Sequence, residues 1–232
     1  MTRRERLMAT LEGKSVDRPA VSFYEIGGWA MEPSEDDFIV WNDPSWRPLV
    51  QMALEETDLI RMVSARWTGG HDNGLGELTT HESRREVNAR FTRMEIRAPG
   101  RTLTSVTRRD RDTQTTWTVE HLLKCVADVE AYLQLPEPVI GEVDVSGLVA
   151  EEEAMGDAGI VSVEFGDPIC SAASLFSMED YTVIAMTEPQ LFHRLLERFA
   201  RTLLPKCDQV AQAFPGRLWR TCGSEYASEP YL

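Results

Sequence analysis

The chain of 232 residues carries 24 basic and 38 acidic side chains, for a formal net charge of −14. Such an acidic surface repels phosphate backbones and anionic lipids, which argues against nucleic acid or a membrane surface as the main partner. With 42 % apolar and 27 % charged residues the composition is that of an ordinary globular protein, and the length suits a single domain over 1–232.

Thr2 and Glu5 stand three apart before Leu7, Met8 and Leu11, the spacing of a capping box that opens a short helix, with Gly13 ending it. Asp17-Arg18-Pro19 then turns the chain into Ala20–Tyr24, an expected first strand that stops before Gly27-Gly28. Asp43-Pro44 is an N-cap followed by a first helical residue, and Leu49, Val50, Ala53 and Leu54 supply that helix's apolar face. Asp58–Val63 predicts a second strand, followed by a loop over 68–74.

Residues 77–119 change character: Thr, Val, Arg and Glu alternate with apolar residues, and turns fall at Ala98-Pro99-Gly100 and Asp110-Arg111-Asp112. The pattern predicts an antiparallel insertion of three or four strands with one wet face. Helices follow over Asp128–Leu135 and Asp144–Ala158, then a third strand over Ile160–Phe165 and the loop Gly166-Asp167-Pro168. Ser177 and Asp180 cap another helix. From Pro189 a long apolar stripe (Leu191, Phe192, Leu195, Leu196, Phe199, Leu203, Leu204) recurs at three and four and reads as core, with Pro205 expected to kink or divide the helix. Leu218–Cys222 is the fourth strand. Outside the insertion, strands alternate with helices, the pattern of a parallel sheet with helices packed outside it.

Arg3-Arg4-Glu5-Arg6, the Leu11-Glu12-Gly13 turn and Asp17-Arg18-Pro19-Ala20-Val21 together resemble the entry to the uroporphyrinogen decarboxylase superfamily. Later segments fit the same template in order: Asp128–Leu133, Phe165-Gly166-Asp167-Pro168, Met186–Glu197, and Gly223–Ala227 with Pro230. The resemblance implies an incomplete (β/α)8 barrel with an antiparallel insertion around 77–119, reaching its N-terminal portion only and stopping before the barrel closes. It also implies either methyl transfer between a corrinoid and a thiol or related one-carbon chemistry, or decarboxylation of a tetrapyrrole. A third reading, from a different class, is a non-catalytic remnant that binds a partner through its unfinished sheet edge.

Barrel enzymes work at the carboxyl ends of their strands. That rule selects Glu25 and Trp29 after the first strand, Trp67, His71 and Asp72 after the second, Asp167 after the third, and Glu225 and Tyr226 after the fourth. Glu25 and Glu225 are the expected catalytic pair; Trp29, His71, Asp72, Asp167 and Tyr226 are expected to bind substrate. Each also has a plainer reading: Glu25 as a solvated loop acid, Asp72-Asn73-Gly74 as turn chemistry, Asp167 before Pro168 as a turn former. His81, His121 and His193 read as surface residues.

The decarboxylases carry an arginine-rich loop after the first strand and an aspartate on the second. Here those segments read Tyr24–Ala30, without arginine, and Ile60–Ala65, without an acid, so the methyl-transfer branch is favoured. That branch implies zinc and a corrinoid, with the zinc ligands expected beyond Leu232; no metal ligand is expected within the chain. Cys125, Cys170, Cys207 and Cys222 lack the spacing of a zinc site and read as free thiols in a reducing cytoplasm. The N-terminus has no apolar leader pattern, so a cytoplasmic enzyme is expected. Its partners would be a small molecule and a corrinoid protein, with an oligomer compatible.

Overall fold

Three of the four expected parallel strands pair with one another. The computed structural model describes residues 1–26, 36–68 and 74–229, apart from the side chains at 224 and 225. Its elements run α1 (Arg3–Leu11), α2 (Arg47–Glu56), β1 (Leu59–Val63), β2 (Arg66–Trp67), β3 (Thr79–Arg85), β4 (Ala89–Ala98), β5 (Arg101–Asp110) and β6 (Thr116–Glu120). There follow α3 (Val126–Leu133), β7 (Val143–Asp144), α4 (Ser146–Met155), β8 (Gly159–Gly166), α5 (Pro168–Ala173), α6 (Met178–Thr187), α7 (Pro189–Ala213) and β9 (Leu218–Cys222).

The fold is mixed α/β. Strands β1, β8 and β9 form a parallel sheet in that order, β2 and β7 a short antiparallel pair, and β3 to β6 a four-stranded antiparallel meander. None of these described sheets closes into a barrel. Strand β8 takes the centre of the parallel sheet because Ile160, Val161 and Val163 are β-branched and buried on both faces. Gly159 is required where β8 starts: a Cβ there would lie 2.0 Å from the Leu59 carbonyl oxygen.

One face of the parallel sheet (Leu59, Val161, Val163) packs under α4 and the end of α7, through Leu148, Met155, Val210 and Phe214. A second core gathers α3, α6 and the first half of α7 around fully buried Tyr181 and Leu195. The meander joins it through Ile96 and Leu103, which are cross-strand partners. Its outer strand β3 is almost wholly exposed, as the alternation with charged residues predicts.

The Arg-Glu-Arg and Asp-Arg-Pro motifs act together through a buried ion network. Both halves of the capping box form, Glu5 N to Thr2 Oγ1 at 3.1 Å and Thr2 N to Glu5 Oε2 at 2.8 Å. Arg6, thereby fixed on α1, donates twice to Asp17 (2.7 and 2.9 Å) and once to the fully buried Asp58 at 2.5 Å. Arg18 reaches both oxygens of Asp58, at 2.7 and 3.2 Å. Burial pushes the Asp58 carboxyl up, but the Val21 amide and the two guanidiniums outweigh it and hold the group below its ordinary value. Asp17 is held low chiefly by its bond to Arg6.

That network explains a departure from expectation. Ala20–Tyr24 is not a strand of the sheet. Val21 N donates to the Asp58 side chain (2.9 Å), and Val21 O accepts from Asp58 N (2.7 Å). A side chain takes the bond that a ladder would need next, so pairing stops after one residue and Ser22–Tyr24 lean across the sheet instead.

Two helices also differ. On α2 only Ala53 is buried, while Leu49 and Leu54 stay exposed. Helix α7 runs through Pro205 undivided, and its apolar stripe is core only in the first half: Leu191, Phe192 and Leu195 are buried, whereas Leu204 is 58 % exposed. No helix among the described residues is long and apolar enough to cross a membrane.

Candidate functional site at the strand tips

The second face of the parallel sheet carries a cleft. Side chains alternate along each strand, so the register places Met62, Ser162 and Leu218 side by side, and Glu164 beside Arg220 one step nearer the carboxyl ends. Ser22, Phe23 and Tyr24 line one side of a cleft of about 490 Å³ and Met62, Ser162, Leu218 and Arg220 line the other, with Glu164 reached only through its pair with Arg220.

Arg220 organises the cleft. Its Nη1 donates to Glu164 Oε1, its Nη2 to the Tyr24 hydroxyl, and its guanidinium carbon sits 5.1 Å from the centre of the Tyr24 ring. The bond to Glu164 holds the guanidinium above its ordinary pKa. The Cys222 thiol, on the same face of β9, lies 3.9 Å from Glu164 Oε1. Glu164 Oε2 is buried and has no hydrogen-bond partner among the described residues. A buried acceptor left without a donor costs about 1–3 kcal/mol, so a group such as this calls for an account in strain, a bound water or ion, or a functional role.

Of the residues expected from sequence, Asp167 lies next to this cluster but works structurally. Its Oδ1 caps α5 by accepting from Cys170 N at 2.7 Å, and its own N–H donates to Cys222 O at 3.2 Å. Gly223 makes this approach feasible: its φ is +129°, and a Cβ there would fall 2.1 Å from Asp167 Oδ1. Tyr226 packs its ring against Tyr181 and accepts the Tyr181 hydroxyl on its backbone carbonyl at 2.9 Å. Glu25 is exposed, one residue beyond Tyr24. The backbone at Glu225 forms a short 3-10 turn, but its side chain lies outside the described residues, as do Trp29, His71 and Asp72.

Tyr24, Glu164 and Arg220 were not singled out from sequence, although the last two left a signal there. Each is the lone charge in its strand, Ile160–Phe165 and Leu218–Cys222. Among the histidines, His81 and His193 are exposed as expected, whereas His121 is half-buried and its basicity is lowered by that burial.

The fold and the cleft define an α/β protein with a polar cluster at the carboxyl ends of parallel strands, the place where such sheets bind ligands. No family model, no curated protein and no solved structure matches the chain.

Proposed function

We propose that this chain is a uroporphyrinogen-decarboxylase-like barrel enzyme whose strand-tip cleft binds a small organic molecule for methyl transfer or related one-carbon chemistry. The reading is carried by one observation, the Tyr24–Arg220–Glu164 cluster at the carboxyl ends of parallel strands, together with the resemblance of the Arg-Glu-Arg and Asp-Arg-Pro motifs. Arg220, clamped by Glu164 and Tyr24, orients a polar group of the ligand. Glu164, behind Arg220, keeps one buried carboxylate oxygen without a partner among the described residues, and in this reading a hydroxyl, amine or thiol that reaches it gives up its proton there as it becomes a nucleophile.

Genuine tetrapyrrole decarboxylation is the alternative. It needs several cationic forks for the substrate's carboxylates, whereas the single arginine lining this cleft is already paired with Glu164. The chemistry a corrinoid would supply is the methyl group, and that of zinc is thiolate formation. Among the described residues no group of three or more His, Cys, Asp or Glu could hold a metal ion, and the Cys222 thiol stands beside Glu164 and the Phe165 carbonyl, so the described residues do not form a zinc site of their own. No step is therefore drawn through either group.

Purified protein incubated with methylcobalamin and 2-mercaptoethanol tests the reading. Loss of the methyl-corrinoid absorbance, slowed about a hundredfold by Glu164→Gln, is expected if a positioned acceptor takes the thiol proton. Turnover of uroporphyrinogen in place of thiol methylation would select the alternative. Turnover of neither would remove the proposal.

A further inference from the structure

A second cavity, of about 800 Å³, shares no lining residue with the strand-tip cleft. It lies between α7, the β2–β7 pair and α3. Pockets that hold small organic ligands span roughly 300–1,000 Å³ and combine aromatic walls with a few fixed polar groups. Here Trp67, Tyr132 and Phe199 supply the walls.

Its charges are unbalanced. Arg66 and Asp144 are directly paired across β2 and β7, and Arg66 helps to hold the Asp144 carboxyl low, after the larger effect of the Ser146 bonds. Those two offset each other. Arg198 and Lys206 lie two turns apart on one stripe of α7, with Thr202 between them, and have no such offset. Arg198 is 7 % exposed and its guanidinium donates to neutral groups, the carbonyls of Leu135 (3.0 Å) and Pro136 (2.5 Å) and the Tyr132 side chain, while lying 5.3 Å from the Tyr132 ring. Lys206 Nζ sits 5.6 Å from the Trp67 ring, and burial alone lowers its pKa. Neither cation forms an ion pair with a carboxylate among the described residues. Placing two uncompensated cations in a half-enclosed apolar site costs free energy. It is the more notable in a chain whose net charge is −14.

We infer that this cavity is a binding site for a planar aromatic anion, an aromatic ring bearing a carboxylate or phosphate. The ring lies between Trp67, Tyr132 and Phe199, and the anionic group meets Lys206, with Arg198 holding the far wall. The inference is independent of the cleft chemistry, because the two sites have no residue in common.

Calorimetric titration of the full chain with 2-naphthoate tests it, with 2-naphthamide as the neutral isostere. Saturable binding of the acid is expected, about tenfold tighter than the amide, as one charge-assisted bond requires. Lys206→Gln should weaken binding of the acid about tenfold and leave the amide unchanged, and Trp67→Leu should weaken both. Arg220→Gln should alter neither. No saturation below about 5 mM, equal binding of acid and amide, or an unchanged affinity in Lys206→Gln would overturn the inference. Binding lost in Arg220→Gln but kept in Lys206→Gln would assign the ligand to the strand-tip cleft and overturn it equally.

Discussion

Replacing Asp58 by asparagine should unfold this protein at a distinctly lower temperature, because the residue joins three segments through one buried carboxylate. Oδ1 receives Arg6 Nη1 (2.5 Å) and Arg18 Nη2 (3.2 Å); Oδ2 receives Arg18 Nη1 (2.7 Å) and Val21 N (2.9 Å). Whichever oxygen becomes NH2 in Asp58→Asn turns two of those donors toward a third donor. Breaking a buried pair costs about 3–5 kcal/mol. Arg18 is 42 % exposed and recovers part of its loss in water, which selects the lower end, about 3 kcal/mol. For a chain of this size each kcal/mol moves the midpoint by about 2–4 °C, so a fall of about 6–12 °C is expected at pH 7.

Acid supplies a second readout of the same network. The folded Asp58 carboxyl titrates below its unfolded value of about 3.9, so the folded state binds fewer protons there. Its contribution is complete above about pH 4 and is lost as the pH falls through the folded pKa. Asp17, depressed in the same direction by Arg6, adds to this acid sensitivity. Thermal melts followed by circular dichroism at pH 7 and at about pH 3 should therefore show the gap between wild type and Asp58→Asn narrowing in acid. A shift below about 3 °C at pH 7, or a gap that widens in acid, would refute the assignment of Asp58 as the hub.

Three further outcomes are expected, each from urea titration. Gly159→Ala should destabilise by about 2–3 kcal/mol, because the new methyl meets the Leu59 backbone carbonyl rather than a side chain able to move. Pro205→Ala should stabilise by about 1–3 kcal/mol, since proline inside a continuous helix removes one hydrogen bond and crowds the preceding turn. Lys206→Met should stabilise by at most about 1 kcal/mol at pH 7, as it exchanges a desolvated cation for an apolar chain of similar length. Burial lowers the folded pKa of Lys206, so the wild type gains stability as pH rises through that value towards its unfolded one of about 10.4. The advantage of Lys206→Met should shrink over the same range.

Local order was legible in the sequence wherever a local rule decides it. The Thr2–Glu5 and Ser177–Asp180 caps, the meander over Thr79–Glu120, and the strands at Leu59, Ile160 and Leu218 depend on spacing within a few residues, and each is where the pattern places it. What the sequence could not rank were competing partners for the same group. Ala20–Tyr24 has strand composition, yet Val21 bonds to the Asp58 carboxylate and the ladder ends. The α7 stripe has one helical period throughout, yet Phe199 and Leu203 line a cavity and Leu204 is exposed. Glu164 and Arg220, separated by 55 intervening residues, became a pair only when β8 and β9 aligned in parallel register. Periodicity is a property of neighbours along the chain, whereas charge pairing and cavity walls depend on distances that close only when remote segments pack.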